Sequence, residues 1–233
     1  MLCNSIRMKN RDYKNFAIGN FYHIINRGNN KKIIFFDDND FLFFLSRLRE
    51  CLFPENIQKH RGSYIRKPLP PGAFSLVNYI LMPNHFHFII RQNTTLPITK
   101  IFSKICTGYS MYFNKKYHHV GQVFQDQFKA ILIDTEAYLL WLSAYIHQNP
   151  KVAGLVNNLA DYRWSSYREY LGLTKDSLCD TSILFSIFKL DKKLYKAFVE
   201  NTFEIIKQKK EIQHLLLDST EDAPVDIGGA SST

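Results

Sequence analysis

Two β-rich runs held only two residues apart constrain this chain more than any other feature. Phe74 to Met82 (FSLVNYILM) and His85 to Arg91 (HFHFIIR) are interrupted at Pro83-Asn84, the pattern of an antiparallel pair with a tight connection. Side chains alternate across a strand, so His85 and His87 must point from one face while Phe86 points from the other. A hairpin of this kind needs further strands or helices to bury it, and the flanking sequence supplies them.

Upstream, Phe21 to Arg27 (FYHIINR) reads as a strand and Gly28-Asn29-Asn30 as a turn. Asp37, Asp38 and Asp40 offer N-cap chemistry for a helix running to about Leu52. The stretch Pro54 to Gly72, with its prolines and basic residues, reads as a surface loop. Downstream, Ile98, Ile101, Phe102, Ile105, Tyr109 and Tyr112 recur at three- and four-residue spacing, which predicts an amphipathic helix from Pro97 to about Lys116. Gln122 to Asp134 predicts a further strand. The order β-α-β-β-α-β is that of an α+β, ferredoxin-like split βαβ domain, an antiparallel sheet with helices on one face. Beyond it, Thr135 to Gln148 reads as a helix with Pro150 just past its end, and Tyr162–Leu171 and Ile183–Leu217 also look helical. The polar, acidic stretch from Asp218 onward is expected to be disordered.

The chain has 233 residues, 45% of them apolar, enough to bury a core without disulfides. Thirty Lys and Arg against 21 Asp and Glu give a formal charge of +9. That balance suits a polyanionic partner, because each phosphate contact releases condensed counterions, but it is equally met by a solvated basic surface. Cys3, Cys51, Cys106 and Cys179 fall into no metal-binding spacing and read as free thiols of a reducing compartment. No run approaches the roughly 18 apolar residues of a membrane span, and the first sixteen residues contain no apolar signal core. The expectation is a cytoplasmic protein, neither secreted nor membrane-inserted.

An HxH pair in an apolar strand serves either as two nitrogen ligands to a metal or as two structurally accommodated side chains. Tyr145 and Asn149 are four apart near the end of the predicted helix, so a phenol and a carboxamide project from one face. The alternatives are a core aromatic and a helix C-cap, since the residue before a proline is pushed out of helical geometry. Tyr109 and Tyr112 have core spacing. His147 is offset by two from Tyr145 and turned away from it.

Several segments together carry a family likeness. His85-Phe86-His87 within ILMPNHFHFII resembles the HUH signature, and SAYIHQNPKVAGLV followed by DYRWSSYREYLG is similar to the corresponding region of REP-associated tyrosine transposases. FYHIINRGNNKKIIFFDDNDFLFFL and GQVFQDQFKAILI resemble that family as well. The likeness covers roughly residues 18 to 172. It implies that Tyr145 is a nucleophile forming a 5′-phosphotyrosine with single-stranded DNA, and that His85, His87 and Asn149 hold a divalent metal, Mg2+ or Mn2+ by family expectation. It further implies hairpin-forming repetitive extragenic DNA as substrate, and a monomer with its tyrosine in cis, a dimer being the alternative.

On this reading residues 1–17 are a basic lead-in, 18–172 the HUH domain with its catalytic helix, 173–217 a C-terminal helical extension and 218–233 a tail. Arg27, Lys31, Lys32, Lys129 and Arg163, with Arg61, Arg66 and Lys67 from the loop, are candidate DNA contacts. Trp164 and Tyr167 either stack on bases or pack in the core. The rival readings are a replication initiator or relaxase of the same superfamily, a domesticated relative, and a non-catalytic nucleic-acid-binding module. The last would carry a glycine- and aromatic-rich RNP strand, which this sequence lacks.

Overall fold

The computed structural model describes residues 16–56 and 67–216. Among the described residues the first six strands and α-helices are β1 (Phe21–Arg27), α1 (Asp38–Leu52), β2 (Phe74–Met82), β3 (His85–Gln92), α2 (Thr99–Tyr117) and β4 (Lys129–Ile133). The strands form one sheet in the order β2-β3-β1-β4, with every neighbouring pair antiparallel. β1 and β2 thus run the same way with β3 between them, which is the split βαβ arrangement the sequence predicts.

The apolar alternation decides the layers. Phe86 and Phe88 point to one face, where Phe86 lies 5.3 Å from Phe44 of α1 and Phe88 lies 5.4 Å from Phe102 of α2, centroid to centroid. α1 starts at a capping box in which the Asp37 carboxylate accepts from the Asp40 N–H and the Asp40 carboxylate from the Asp37 N–H. Asp40 is fully buried, and Lys116 of α2 reaches it at 2.7 Å, riveting the two helices together.

The opposite face, to which the histidines point, is covered by α3 (Glu136–Val152). After α3 the chain turns through Leu159–Asp161 and runs along the free edge of β2. Leu81 N–H donates to the Trp164 carbonyl at 2.9 Å, Ser166 N–H to Tyr79 at 3.0 Å and Asp180 N–H to Leu76 at 2.8 Å. The Tyr170 hydroxyl donates to the Val77 carbonyl at 2.8 Å. An edge that would otherwise present unpaired backbone groups is thereby satisfied. Four helices complete the described residues: α4 (Tyr167–Tyr170), α5 (Ser182–Ile187), α6 (Lys192–Asn201) and α7 (Phe203–Leu216).

Four boundaries differ from the sequence reading. The strand expected from Gln122 is confined to Lys129–Ile133, because the preceding residues contribute only the single bridge of Phe124 to Gly28. α3 does not stop before Pro150 but carries it in its last turn, where Leu155 N–H donates to the Pro150 carbonyl and Ala153 N–H to that of Asn149. Asn149 is therefore a helical residue and not a cap. A proline so near the end forfeits one backbone bond, and the burial of Ile146 through Pro150 offsets that loss. Between Tyr162 and Leu171 only α4 is helical, since residues 164–166 are committed to the edge of β2. The long C-terminal helix is three helices, interrupted first where Lys189 and Leu190 take positive φ of 51° and 62° and again at Thr202. Among the described residues no helix is long and apolar enough to cross a membrane. Cys51, Cys106 and Cys179 are free thiols.

Candidate active site

The strand register arranges the candidate residues in rows on the face under α3, because directly paired residues share a face. His87 stands opposite Ile80 on one side and Ile25 on the other, and Ile25 stands opposite Lys129. His85 stands between Met82 and Arg27. His23, opposite Ile89, lies diagonally beyond His87. Two of the predicted cations, Arg27 and Lys129, are thus in the rows of the two histidines, one and two strand spacings away, or about 5 and 10 Å.

The His85 and His87 rings meet edge to face, 5.1 Å between centroids. His87 is buried, and its Nδ1 is 3.0 Å from Nε2 of His23, the two rings stacked 5.2 Å apart. His85 Nδ1 lies 2.6 Å from Oδ1 of Asn84. Burial pushes the His23 imidazole down to about 3, so it is neutral near pH 7. The sequence reading missed both His23 and Asn84. Alternation within FYHIINR marks His23 as facing oppositely to Tyr22 and Ile24, but only the pairing of β1 with β3 brings it to His87.

Tyr145 enters from α3. Its ring meets that of His87 edge to face at 5.9 Å and an interplanar angle of 90°. On its other side Trp141, one helical turn earlier, stacks on it at 5.3 Å and 18°. Asn149, one turn later, is buried and donates its Nδ2 to the Tyr145 carbonyl at 3.1 Å, which assigns Oδ1 as the acceptor atom of that amide. The structure therefore sets Tyr145 against His87 and His87 against His85, with Asn149 bonded to the backbone of Tyr145. Among the described residues no three His, Cys, Asp or Glu side chains form a metal-holding group, so a metal bound by His85 and His87 would take any further protein ligand from another donor type, such as an amide oxygen. Asn149 is chemically suited to that position.

The rotation of α3 is fixed by His147, which is fully buried. Its Nε2 lies 3.0 Å from Asn78 Nδ2 of β2 and 2.8 Å from the Ser166 hydroxyl, and its Nδ1 lies 2.9 Å from the Tyr195 hydroxyl of α6. Tyr195 also meets the Ser143 hydroxyl at 2.6 Å. Burial holds His147 neutral, pushed down to about 3. With His147 turned to this network, Tyr145 is presented to His87. Tyr109 is fully buried, its hydroxyl donated to the Ile34 carbonyl, and Tyr112 stacks on Phe43 at 4.0 Å.

The remaining cations are dispersed. Lys31 and Lys32 follow β1, with the Lys31 carbonyl accepting from Asn84 Nδ2 at 3.1 Å. Arg27 Nε donates to Gln125 at 3.0 Å. Arg163 pairs with Asp38 at 2.9 Å on the exposed surface, and Lys67 is exposed. Arg61 and Arg66 lie outside the described residues. Trp164 is corrected: it is 9% exposed and stacked on Phe41 at 4.5 Å and 6°, so its ring is spent on packing and is not an open platform for bases. Tyr167 is buried as well.

Comparison with known proteins bears on this geometry. Residues 41–149 match the family model for IS200-like transposases, and no curated protein matches the chain. Among solved structures, the chain is similar to a REP-associated tyrosine transposase bound to a REP hairpin. The two are 14% identical with a TM-score of 0.51, and the likeness covers 73% of this chain and 97% of that one. A candidate transposase from Deinococcus radiodurans R1 is also 14% identical, with a TM-score of 0.37 over 60% of this chain and 95% of that one. At such identities the first likeness speaks for the α+β fold alone, and the second carries no weight. The family match runs from within α1 to Asn149 of α3, leaving out β1, and takes in His85, His87, Tyr145 and Asn149.

Proposed function

We propose that the protein is a metal-dependent single-stranded DNA endonuclease and strand transferase that works through a covalent phosphotyrosine on Tyr145. The observation that carries this reading is the contact of the Tyr145 ring with His87, 5.9 Å between centroids, His87 in turn meeting His85. A nucleophile-bearing residue beside two nitrogen donors suits phosphoryl transfer from an anionic diester.

In this mechanism the Tyr145 oxygen attacks the scissile phosphorus and the bond to the 3′ oxygen breaks. One strand is left with a free 3′-hydroxyl and the other joined to the enzyme as a 5′-phosphotyrosine. The phenol proton is lost as the 3′ oxygen gains one, so the step is neutral in protons and needs no nucleotide cofactor. The reverse step, with a different 3′-hydroxyl, joins strands. His85, His87 and the Asn149 amide oxygen would hold a divalent ion, Mg2+ or Mn2+, which when bound would withdraw charge from a non-bridging oxygen in the transition state. Arg27 and Lys129, in register with the two histidines, would bind neighbouring phosphates. Trp141 and His87 confine the Tyr145 ring from two sides, which limits the orientations from which its oxygen attacks. Hairpin-forming repetitive DNA is the proposed substrate, and α3 packed on its own sheet supports action as a monomer with the tyrosine in cis.

The test is incubation with labelled single-stranded DNA carrying palindromic repeats, with Mg2+, Mn2+ or EDTA, followed by denaturing electrophoresis. A covalent adduct is expected with metal, and none with EDTA or with Tyr145→Phe, which should still bind the DNA. Binding without adduct under every metal condition would leave a non-catalytic DNA-binding module.

A further inference from the structure

We infer that Asn84 and His23 are positioning residues of the metal centre, fixing the tautomers of His85 and His87 so that both present Nε2 as the ligand atom; this rests on the reading of those histidines as metal ligands. The argument for Asn84 is one of donor and acceptor identity. Its Nδ2 lies 3.1 Å from the Lys31 carbonyl, and only an N–H can approach a carbonyl oxygen in this way. The amide is therefore oriented, and the atom 2.6 Å from His85 Nδ1 is the acceptor Oδ1. His85 must donate from Nδ1, and in the neutral ring the lone pair then resides on Nε2.

Asn84 is itself held. Its carbonyl accepts from Gly28 N–H at 2.8 Å, and the neighbouring Pro83 carbonyl accepts from both Ile34 and Phe35. The β2–β3 turn is thus bolted to the turn after β1, and the oxygen facing His85 has little freedom. A Cβ added at Gly28 would lie 2.1 Å from the Lys32 carbonyl oxygen, so the close approach depends on glycine.

For His87 the partner is another imidazole. Its Nδ1 is 3.0 Å from His23 Nε2, with the rings stacked at an interplanar angle of 19° and both residues buried. One of the two nitrogens carries the proton and the other accepts it. When His87 binds a metal through Nε2, its proton lies on Nδ1, and His23 Nε2 is the acceptor placed to receive it. Metal-bound histidines generally donate their second N–H to such a partner, and loss of the partner typically weakens metal binding about ten- to a hundredfold.

The experiment measures Mn2+ affinity by electron paramagnetic resonance and calorimetry in the full chain, for wild type, His23→Phe, His23→Gln, Asn84→Ala and Asn84→Asp. Thermal unfolding midpoints are taken in EDTA, and the imidazole nitrogens are assigned by long-range 1H–15N correlation. His23→Phe retains an aromatic ring for stacking but removes the acceptor, whereas His23→Gln and Asn84→Asp each retain an acceptor oxygen. The expected result is a rise in the Mn2+ dissociation constant of about tenfold or more in His23→Phe and Asn84→Ala, substantial recovery in the two acceptor variants, and an Nδ1–H tautomer at His85 without metal and at both histidines in a diamagnetic Mg2+ complex. Wild type that binds Mn2+ while both deletions bind it within twofold would overturn the inference and leave the metal reading intact. Wild type that binds no Mn2+ would overturn both. Should Asn84→Ala fail to fold, the wild-type spectrum decides its part, and an Nε2–H at His85 overturns it.

Discussion

The Tyr145 ring is gripped by residues that reach it by two different routes. Trp141 lies four positions earlier on the same helix, a neighbour any helical reading supplies. His87 comes from β3, 58 residues away in sequence, and meets the ring only because α3 crosses the sheet there. The HxH alternation and the Tyr145–Asn149 spacing were legible for the same local reason, whereas His23 was not, since its meeting with His87 depends on strand pairing. Trp164 illustrates the opposite failure. A tryptophan beside an arginine in a basic chain suits a base-stacking platform, yet its burial against Phe41 is a property of the packed molecule. We expect Trp164→Ala to lower stability by about 3–5 kcal/mol in urea denaturation, with the affinity of the folded fraction for single-stranded DNA unchanged. Arg27→Ala and Lys129→Ala should instead leave the denaturation midpoint within about 0.5 kcal/mol. Each should reduce the salt dependence of DNA binding by about one phosphate contact, as read from binding isotherms at several salt concentrations.

At the scale of elements, α3 is more firmly specified than its own sequence suggests. Pro150 predicts an end at Gln148, but the helix continues to Val152. His147, Gln148 and Asn149 are all buried there, and Gln148 Nε2 donates to the Val199 carbonyl of α6 at 2.7 Å. The helices after Leu171 are therefore part of what holds α3 in place. In Tyr195→Phe the hydroxyl shared by His147 and Ser143 is lost, leaving buried polar atoms short of a partner. A loss on the order of 1–3 kcal/mol is expected from urea denaturation. Gly28→Ala should also destabilise the protein, because its Cβ would meet the Lys32 carbonyl oxygen and the Ile34 side chain. A lowered thermal midpoint in EDTA would show this independently of any metal.

For the whole molecule, the two faces of the sheet have different work. The phenylalanine-rich face makes the core with α1 and α2, and the histidine face carries the polar chemistry under α3. The α1–α2 layer depends on pH through Asp40. Burial on its own would raise this carboxyl, but hydrogen bonds from Lys116, Tyr117, the Phe36 N–H and Tyr112 outweigh it and hold it below its ordinary value of 3.8. A carboxyl depressed in the folded state contributes stability above its unfolded value and loses it as the pH falls through the folded one. The denaturation midpoint should therefore drop as pH falls below about 4. Asp40→Asn should be less stable at neutral pH and show a shallower decline over that range.

The periodicities of two and of three to four residues, the capping aspartates and the short β2–β3 connection were sufficient for the element order and the split βαβ topology, because each is a local preference of the backbone. The same local rules put His85 with His87, and Tyr145 with Asn149, on common faces. They left open which pairs of faces meet. The register of β1 against β3, the crossing of α3 over the histidine row, the continuation of that helix through Pro150 and the commitment of residues 164–166 to the edge of β2 all arise from contacts between residues distant in sequence. Their energy comes from burial and hydrogen bonding in the assembled core, and so only the tertiary structure decides them.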